Sequence, residues 1–366
     1  MKLETVICEL NPIHLGHKLV LERAKADSDV VSAVLSGNFV QRGEPAVFDK
    51  YARAHAAVLA GADLVFELPF PWCSAGAESF ALGGVTVASG VRSRGLTFGS
   101  ESGRMDYIET LADVKSSPEF AEAVTVAEAA LRDRGSAAVF DETLRRFGIT
   151  DMPGANDKLG AEYVRFGRES GLTCTAVGRL TDMKSATQLR AMDFPDCAPF
   201  MPPESFALLK DAARCDYAKY AELLFHHARL YLRDTENPTL QIAAKKARET
   251  TDAGEFMKNI ATKKYTAARM RRELLFSLTG VRSEWLKLPP PYTILLAANE
   301  RGRRYLAENR KKFGFPVVTK PADFVPDPTD ETSADIRRCH AFADELYCLM
   351  NGRPADSFMK RHPVMV

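Results

Sequence analysis

The sequence predicts an α/β protein: a doubly wound parallel sheet followed by a mostly helical C-terminal domain. Three observations carry that expectation. Short, continuous apolar runs alternate with helical stretches through the first hundred residues, the pattern of strands covered on both faces. Polar loops rich in glycine follow the first, second and fourth of those runs, where ligands of open α/β sheets bind. Beyond a cluster of prolines at 195, 199, 202 and 203, the apolar spacing turns helical almost throughout.

Taken in order, residues 5–10 form a first strand, and an amphipathic stretch over 16–26 follows a polar loop. A second strand, 30–35, runs into the loop 36–45. Asp49 opens an alanine-rich helix to residue 60, and Gly61 stops it. A third strand spans 64–68, a helix 75–89 and a fourth strand 95–98. Residues 105–147 read as helical and charged. A helix over 158–170, opened by Gly154-Ala155-Asn156-Asp157, precedes a strand over 173–177 and a helix start at 185–190. Helices are then expected at 205–213, 217–233, 240–250 and 266–278, a strand at 292–297 and a basic helix at 300–312. The division is two domains, 1–197 and 198–366.

At 366 residues the chain has room for two or three domains and a sizeable core. No apolar run approaches the roughly 20 residues that cross a bilayer, which excludes a membrane-embedded class. The N-terminus lacks signal-peptide anatomy, so a cytoplasmic protein is expected. Seven scattered cysteines with no Cys-x-x-Cys pair fit buried free thiols in a reducing compartment. Net charge is +1, but residues 1–200 carry −6 and residues 201–366 carry +7. That asymmetry fits a small-molecule domain joined to a nucleic-acid-binding one.

The stretch Asn11-Pro12-Ile13-His14-Leu15-Gly16-His17 lies where the first strand yields to a helix. Its histidines read as core filler, as metal ligands or as phosphate-handling groups. Zinc needs a third ligand, and His55 is the only other early histidine; no metal site is expected. The junction favours phosphate chemistry. Helix amides there form an anion site, Gly16 lets a phosphate approach the backbone, and imidazoles three residues apart share one side of the turn. Asn11-Pro12 stiffens the loop and offers an amide to a ligand.

This stretch resembles the His-x-Gly-His signature of the adenylyltransferase superfamily, whose fold is a Rossmann-like, HUP-type domain. With Leu35-Ser36-Gly37-Asn38-Phe39-Val40-Gln41-Arg42-Gly43-Glu44-Pro45-Ala46, Asp49-Lys50, Gly61-Ala62-Asp63-Leu64-Val65 and Glu67-Leu68-Pro69, the chain resembles the bacterial tRNA(Met) cytidine acetate ligase family. The resemblance runs to about residue 320 and is strongest over 1–100 and 150–190. It implies a two-step reaction. ATP and acetate give acetyl-adenylate and pyrophosphate, and the acetyl group then passes to N4 of the wobble cytidine of elongator tRNA(Met). ATP would lie on residues 8–20, including Glu9, Asn11, Pro12, Gly16 and Val20, with Gly99, Asn156 and Arg179. Ser185-Ala186-Thr187-Gln188-Leu189-Arg190 resembles the superfamily's second phosphate motif, assigning Ser185 and Thr187 to ATP. His14, His17, Lys184 and Arg190 would be catalytic. Lys184 departs from the family's usual small hydroxyl residue: it either adds a phosphate-binding charge or marks a drifted site.

Acetate is already an anion, so the first step asks for alignment and charge neutralisation, with Mg²⁺ expected alongside ATP. The second needs the cytosine splayed from the anticodon loop, and no residue in the sequence identifies itself as its general base. For tRNA contact the best stretch is 258–287, with eight basic residues against two acidic ones. It holds Lys263, Lys264, Arg269, Arg271 and Arg272, with Tyr265 and Trp285 as stacking candidates. Arg42 faces phosphate or tRNA, or pairs with Glu44. Lys50 and Arg53 face the same site or solvent. Residues 301–312 form a second basic block. Two other readings fit some of these features: a small-molecule adenylyltransferase of the same superfamily, and a tRNA-binding protein with a vestigial nucleotide site. The basic helical half disfavours the first, and intact His14, Gly16, His17 and Arg190 disfavour the second.

Overall fold

In the computed structural model, which describes residues 1–131, 134–179 and 183–366, the apolar runs become a sheet. β1 (Leu3–Cys8) is buried along its whole length. It ends two residues earlier than the apolar run because Leu10 adopts φ +48°, a left-handed turn that leaves the sheet. α1 (Leu15–Ala26) starts within the histidine motif. β2 (Val30–Ser36) leads into a small hairpin, β3 (Phe39–Val40) and β4 (Glu44–Pro45). α2 (Lys50–Leu59) is capped by Asp49, whose carboxylate accepts the amides of Tyr51 and Ala52. β5 (Leu64–Leu68), α3 (Ala77–Gly90) and β6 (Gly95–Ser100) complete the expected alternation.

The charged stretch after β6 resolves into α4 (Met105–Ser116), α5 (Pro118–Ala130) and α6 (Ser136–Arg146); residues 132–133, within the expected helical span, lie outside the described residues. α7 (Ala155–Glu169), β7 (Thr173–Gly178) and the one-turn α8 (Ala186–Arg190) follow. Then come α9 (Pro203–Leu209), α10 (Tyr217–Tyr231), α11 (Pro238–Glu249), α12 (Ala253–Lys258) and α13 (Ala267–Thr279). The expected strand at 292–297 is β8 (Thr293–Ala298), followed by α14 (Glu300–Asn309) and β9 (Val317–Val318). The chain closes with α15 (Glu331–Met350) and β10 (Val364–Met365), which, like β3, β4, α12 and β9, carry no expectation from sequence.

The sheet runs β10-β8-β5-β2-β1-β6-β7, with β9 beside β8. From β5 to β7 all pairs are parallel, while β8 meets β5 antiparallel. The order reverses at β1, so the switch point lies between β1 and β6. There the pairing is short. β1 pairs β2 through Cys8, yet it pairs β6 only at Glu4–Gly95 and Thr5–Leu96. The two strands therefore separate toward their carboxyl ends and open a crevice.

The C-terminal tail is locked to the first half through a buried ionic network. Lys50, fully buried, places Nζ 2.8 Å from Glu67 Oε1 and 2.7 Å from Asp344 Oδ2. Asn38 accepts the Lys50 amide at 2.9 Å and donates to Asp344 at 2.8 Å. His340 Nε2 lies 3.0 Å from Glu67, and its Nδ1 lies 2.7 Å from the Tyr292 hydroxyl. Glu67, His340 and Asp344 have ligand-like spacing, but the Lys50 ammonium already supplies the cation they surround. All seven cysteines are free. Among the described residues no helix is long and apolar enough to cross a membrane.

Candidate active site

The crevice between β1 and β6 is the inner wall of a cleft of ≈ 470 Å³. Its lining gathers Glu9, His14, Gly16, His17, Val20, Arg42, Gly99, Asn156, Arg179, Lys184, Ser185, Thr187 and Arg190 from six separate segments of the chain. Asn11 and Pro12 are not among its lining residues. The Asn11 side chain instead accepts the Val47 amide at 2.8 Å, and its carbonyl accepts from Arg190 Nη1 at 2.7 Å. Asn11 thus ties α8 and the loop after β4 to the motif.

The two imidazoles are stacked, 3.7 Å between centroids and 25° apart. His17 Nδ1 accepts the His14 backbone N–H at 3.2 Å, which leaves Nε2 to carry the proton and act as a donor. Burial, then the positive charge of Arg179, lowers the His14 pKa to about 4. Burial and the adjacent His14 hold His17 well below the ordinary range. Both rings are neutral near pH 7. A Cβ on Gly16 would lie 2.9 Å from His14 Cε1, so glycine here makes room for the ring to fold over the turn.

Around them stands positive charge. Arg179 and Lys184 line the cleft with Arg42 and Arg190. Ser185 caps α8 through a reciprocal bond with Gln188, and Thr187 Oγ1 accepts from Arg190 Nη2 at 3.2 Å. Glu101, on the rim, spends both oxygens on the amides of Asn156 and Asp157 at 3.0–3.2 Å. Glu9 takes the Gln41 amide on Oε1 at 2.7 Å. Phe80, Phe98 and Leu159 add an apolar wall that sequence reading passes over. Its one signal is Phe98, an aromatic at the end of a strand that precedes a glycine.

A family model described as HIGH Nucleotidyl Transferase matches residues 1–361. The tRNA(Met) cytidine acetate ligase of Streptococcus thermophilus is 32% identical over 359 residues, covering 90% of this chain and 94% of the relative. That of Levilactobacillus brevis is 30% identical over 344 residues, covering 86% and 87%. The chain belongs to the tRNA(Met) cytidine acetate ligase family. Among solved structures, Thermotoga maritima TmcAL bound with alpha-thio ATP superposes with a TM-score of 0.87 at 25% identity, over the full length of both chains.

Several basic residues of this family member are placed differently from their expected roles. Lys50 and Arg53 face neither the cleft nor solvent, since both are buried. Arg53 donates to the carbonyls of Phe48 at 2.9 Å, Glu9 at 2.7 Å and Gly37, clamping the ends of β1 and β2. Glu44 pairs not with Arg42 but with Arg271, at 2.9 Å. Arg271 Nε also donates to the Arg42 carbonyl, and Arg272 Nη1 to that of Gln41. Gly43, at φ +66°, lies so close that a Cβ would meet the Arg272 nitrogen at 2.6 Å. These two arginines hold the loop that lines the cleft. Lys263, Lys264 and Arg269 are not in that contact, and the Arg269 guanidinium lies 4.8 Å from the Tyr265 ring. Trp285 is 4% exposed, too buried to stack on a base.

Proposed function

We propose that this chain forms acetyl-adenylate from ATP and acetate and transfers the acetyl group to N4 of the wobble cytidine of elongator tRNA(Met), in the cytoplasm. The observation that carries this reading is the stacked, neutral His14–His17 pair at the switch-point crevice, facing four cationic side chains. Family membership supports this choice of substrates.

The adenine packs on Val20, Phe80, Phe98 and Leu159, with Gly99 leaving the floor open to it. The triphosphate, which brings Mg²⁺ as part of the substrate complex, lies across the start of α1 and the Lys184–Arg190 segment. His17 Nε2–H and His14 donate to the α-phosphate as acetate displaces pyrophosphate, while Arg179, Lys184 and Arg190 balance the charge that leaves. Asn156 lies at the ribose side. The anticodon loop enters past Arg42, and its phosphates meet Lys263, Lys264 and Arg269 of the 198–366 portion. Arg271 and Arg272 act one step back, through the loop they support. The nucleotide chemistry belongs to residues 1–197. Acetate-dependent exchange of labelled pyrophosphate into ATP tests the first step. Exchange that ignores acetate, or that answers only to another acid, removes the reading.

A further inference from the structure

The acetyl-transfer step needs an acceptor for the proton of the attacking amine, and the cleft supplies few. Glu101 has both oxygens engaged by amides. His17 uses Nδ1 to accept and Nε2 to donate. Burial pushes the Cys8 thiol up to about 12 and the Tyr163 phenol well above its usual value, so both keep their protons. Two groups remain, Glu9 and His14. The His14 ring is stacked on His17, and a proton added to it would sit beside Arg179.

We propose that Glu9 is the residue that accepts the cytosine N4 amine and takes its proton, an inference that rests on the acetate-ligase reading above. Its Oε1 is fixed by the Gln41 amide at 2.7 Å, and among the described residues no protein donor bonds Oε2. The backbone of Glu9 is equally fixed, since Arg53 holds its carbonyl at 2.7 Å. One carboxylate oxygen is therefore held open on the cleft wall. A carboxylate only accepts, and the edge of cytosine presents N4–H₂ as a donor. Uracil would set its O4 lone pairs against the same oxygen, so this contact also selects the base.

The step balances. As N4 attacks, the N–C bond to the acetyl carbonyl forms and the bond from that carbon to the AMP oxygen breaks. AMP leaves with the bond's electrons, and the N4 proton passes to Glu9 Oε2 and then to solvent. The groups facing Glu9 are Cys8 on β1, Arg42 on the hairpin loop, Arg53 on α2, Tyr163 on α7 and Arg190 on α8. Burial raises the Glu9 pKa while the Gln41 amide and the three arginines draw it down, leaving a stronger base than an exposed glutamate.

Glu9→Gln keeps the shape and the Gln41 contact but cannot take a proton. Acetate-dependent exchange and single-turnover transfer of labelled acetyl to tRNA(Met) are measured on the same preparations. Transfer should fall about 100-fold or more, as for a missing general base, and at least about tenfold further than exchange, which reads whatever Glu9 contributes to the ATP cleft. The wild-type transfer rate should rise with pH through one inflection that Glu9→Gln abolishes. Glu9→Asp should restore part of the transfer rate. Three results overturn the assignment: near-normal transfer in Glu9→Gln, equal loss of both reactions, or an inflection that survives in Glu9→Gln and vanishes in His14→Gln. If the wild-type chain shows no acetate-dependent exchange, the acetate reading itself falls, and the assignment with it.

Discussion

His17 Nδ1 accepts the backbone N–H of His14 at 3.2 Å while the two rings lie stacked 3.7 Å apart. One turn of backbone thus fixes the tautomer of the second histidine and the orientation of the first. Two neutral imidazoles result, at the start of α1 among the cationic side chains of the cleft.

Proton uptake follows from that neutrality. Burial and Arg179 hold free His14 at about 4, and a bound polyanion raises an imidazole pKa. The pKa is higher in the complex, so binding takes up protons and affinity rises as pH falls from 7 toward the free-enzyme value. Calorimetry of ATP-analogue binding in buffers of different ionisation enthalpy should show this uptake, and His14→Gln should reduce it.

Loss of either imidazole donor should cost exchange heavily. Removing one preorganised donor typically costs about 10²–10³-fold in rate. His17→Ala and His14→Ala should each fall in that range in acetate-dependent exchange. Thermal unfolding should move little, because neither ring is part of the sheet core.

Arg271 and Arg272 should behave unlike the lysines nearby. Arg271 is paired with Glu44, and both arginines hold carbonyls of the loop whose Gln41 and Arg42 line the cleft. Replacing both by alanine should depress exchange as well as tRNA binding. Replacing Lys263, Lys264 and Arg269 should weaken tRNA binding far more than exchange. The salt slope of binding should flatten by about 0.7–0.9 for each phosphate that is no longer neutralised.

The strands of the first half were legible because each is an apolar run bounded by turn residues. The motif was legible because its residue types and its junction agree. What escaped depends on neighbours remote in sequence. Lys50 near a helix start reads as facing the site or solvent, yet its partners lie 17 and 294 residues away. Arg271 reads as a phosphate contact, but its neighbour is a carbonyl 229 residues away. α15 went unseen because its buried face is interrupted by His340 and Asp344, polar residues that suit a core only where Lys50 and Glu67 await them. The open oxygen of Glu9 needed the position of the Gln41 amide.

Breaking the Lys50 network should unsettle the whole fold. Lys50→Met leaves the Glu67 and Asp344 carboxylates facing each other without their cation, a loss of about 3–5 kcal/mol. Against burial, which raises it, Lys50 and then His340 hold Glu67 at about 2. A carboxylate so depressed contributes stability above its unfolded value near 4.5, and that contribution disappears as pH falls toward 2. Urea unfolding should show wild-type stability dropping across that window. In Lys50→Met, stability should be lower at pH 7 and the drop smaller.

In the proposed reaction, acetate reaches tRNA through an adenylate made in the β1–β6 cleft. Its most direct test supplies purified protein with ATP, labelled acetate and tRNA(Met), without acetyl-CoA, and maps the label by nuclease digestion and mass spectrometry. Label should appear in N4-acetylcytidine at the wobble position, dependent on ATP and abolished in His17→Ala. Label that requires acetyl-CoA, or an unlabelled tRNA alongside active acetate-dependent exchange, would contradict it.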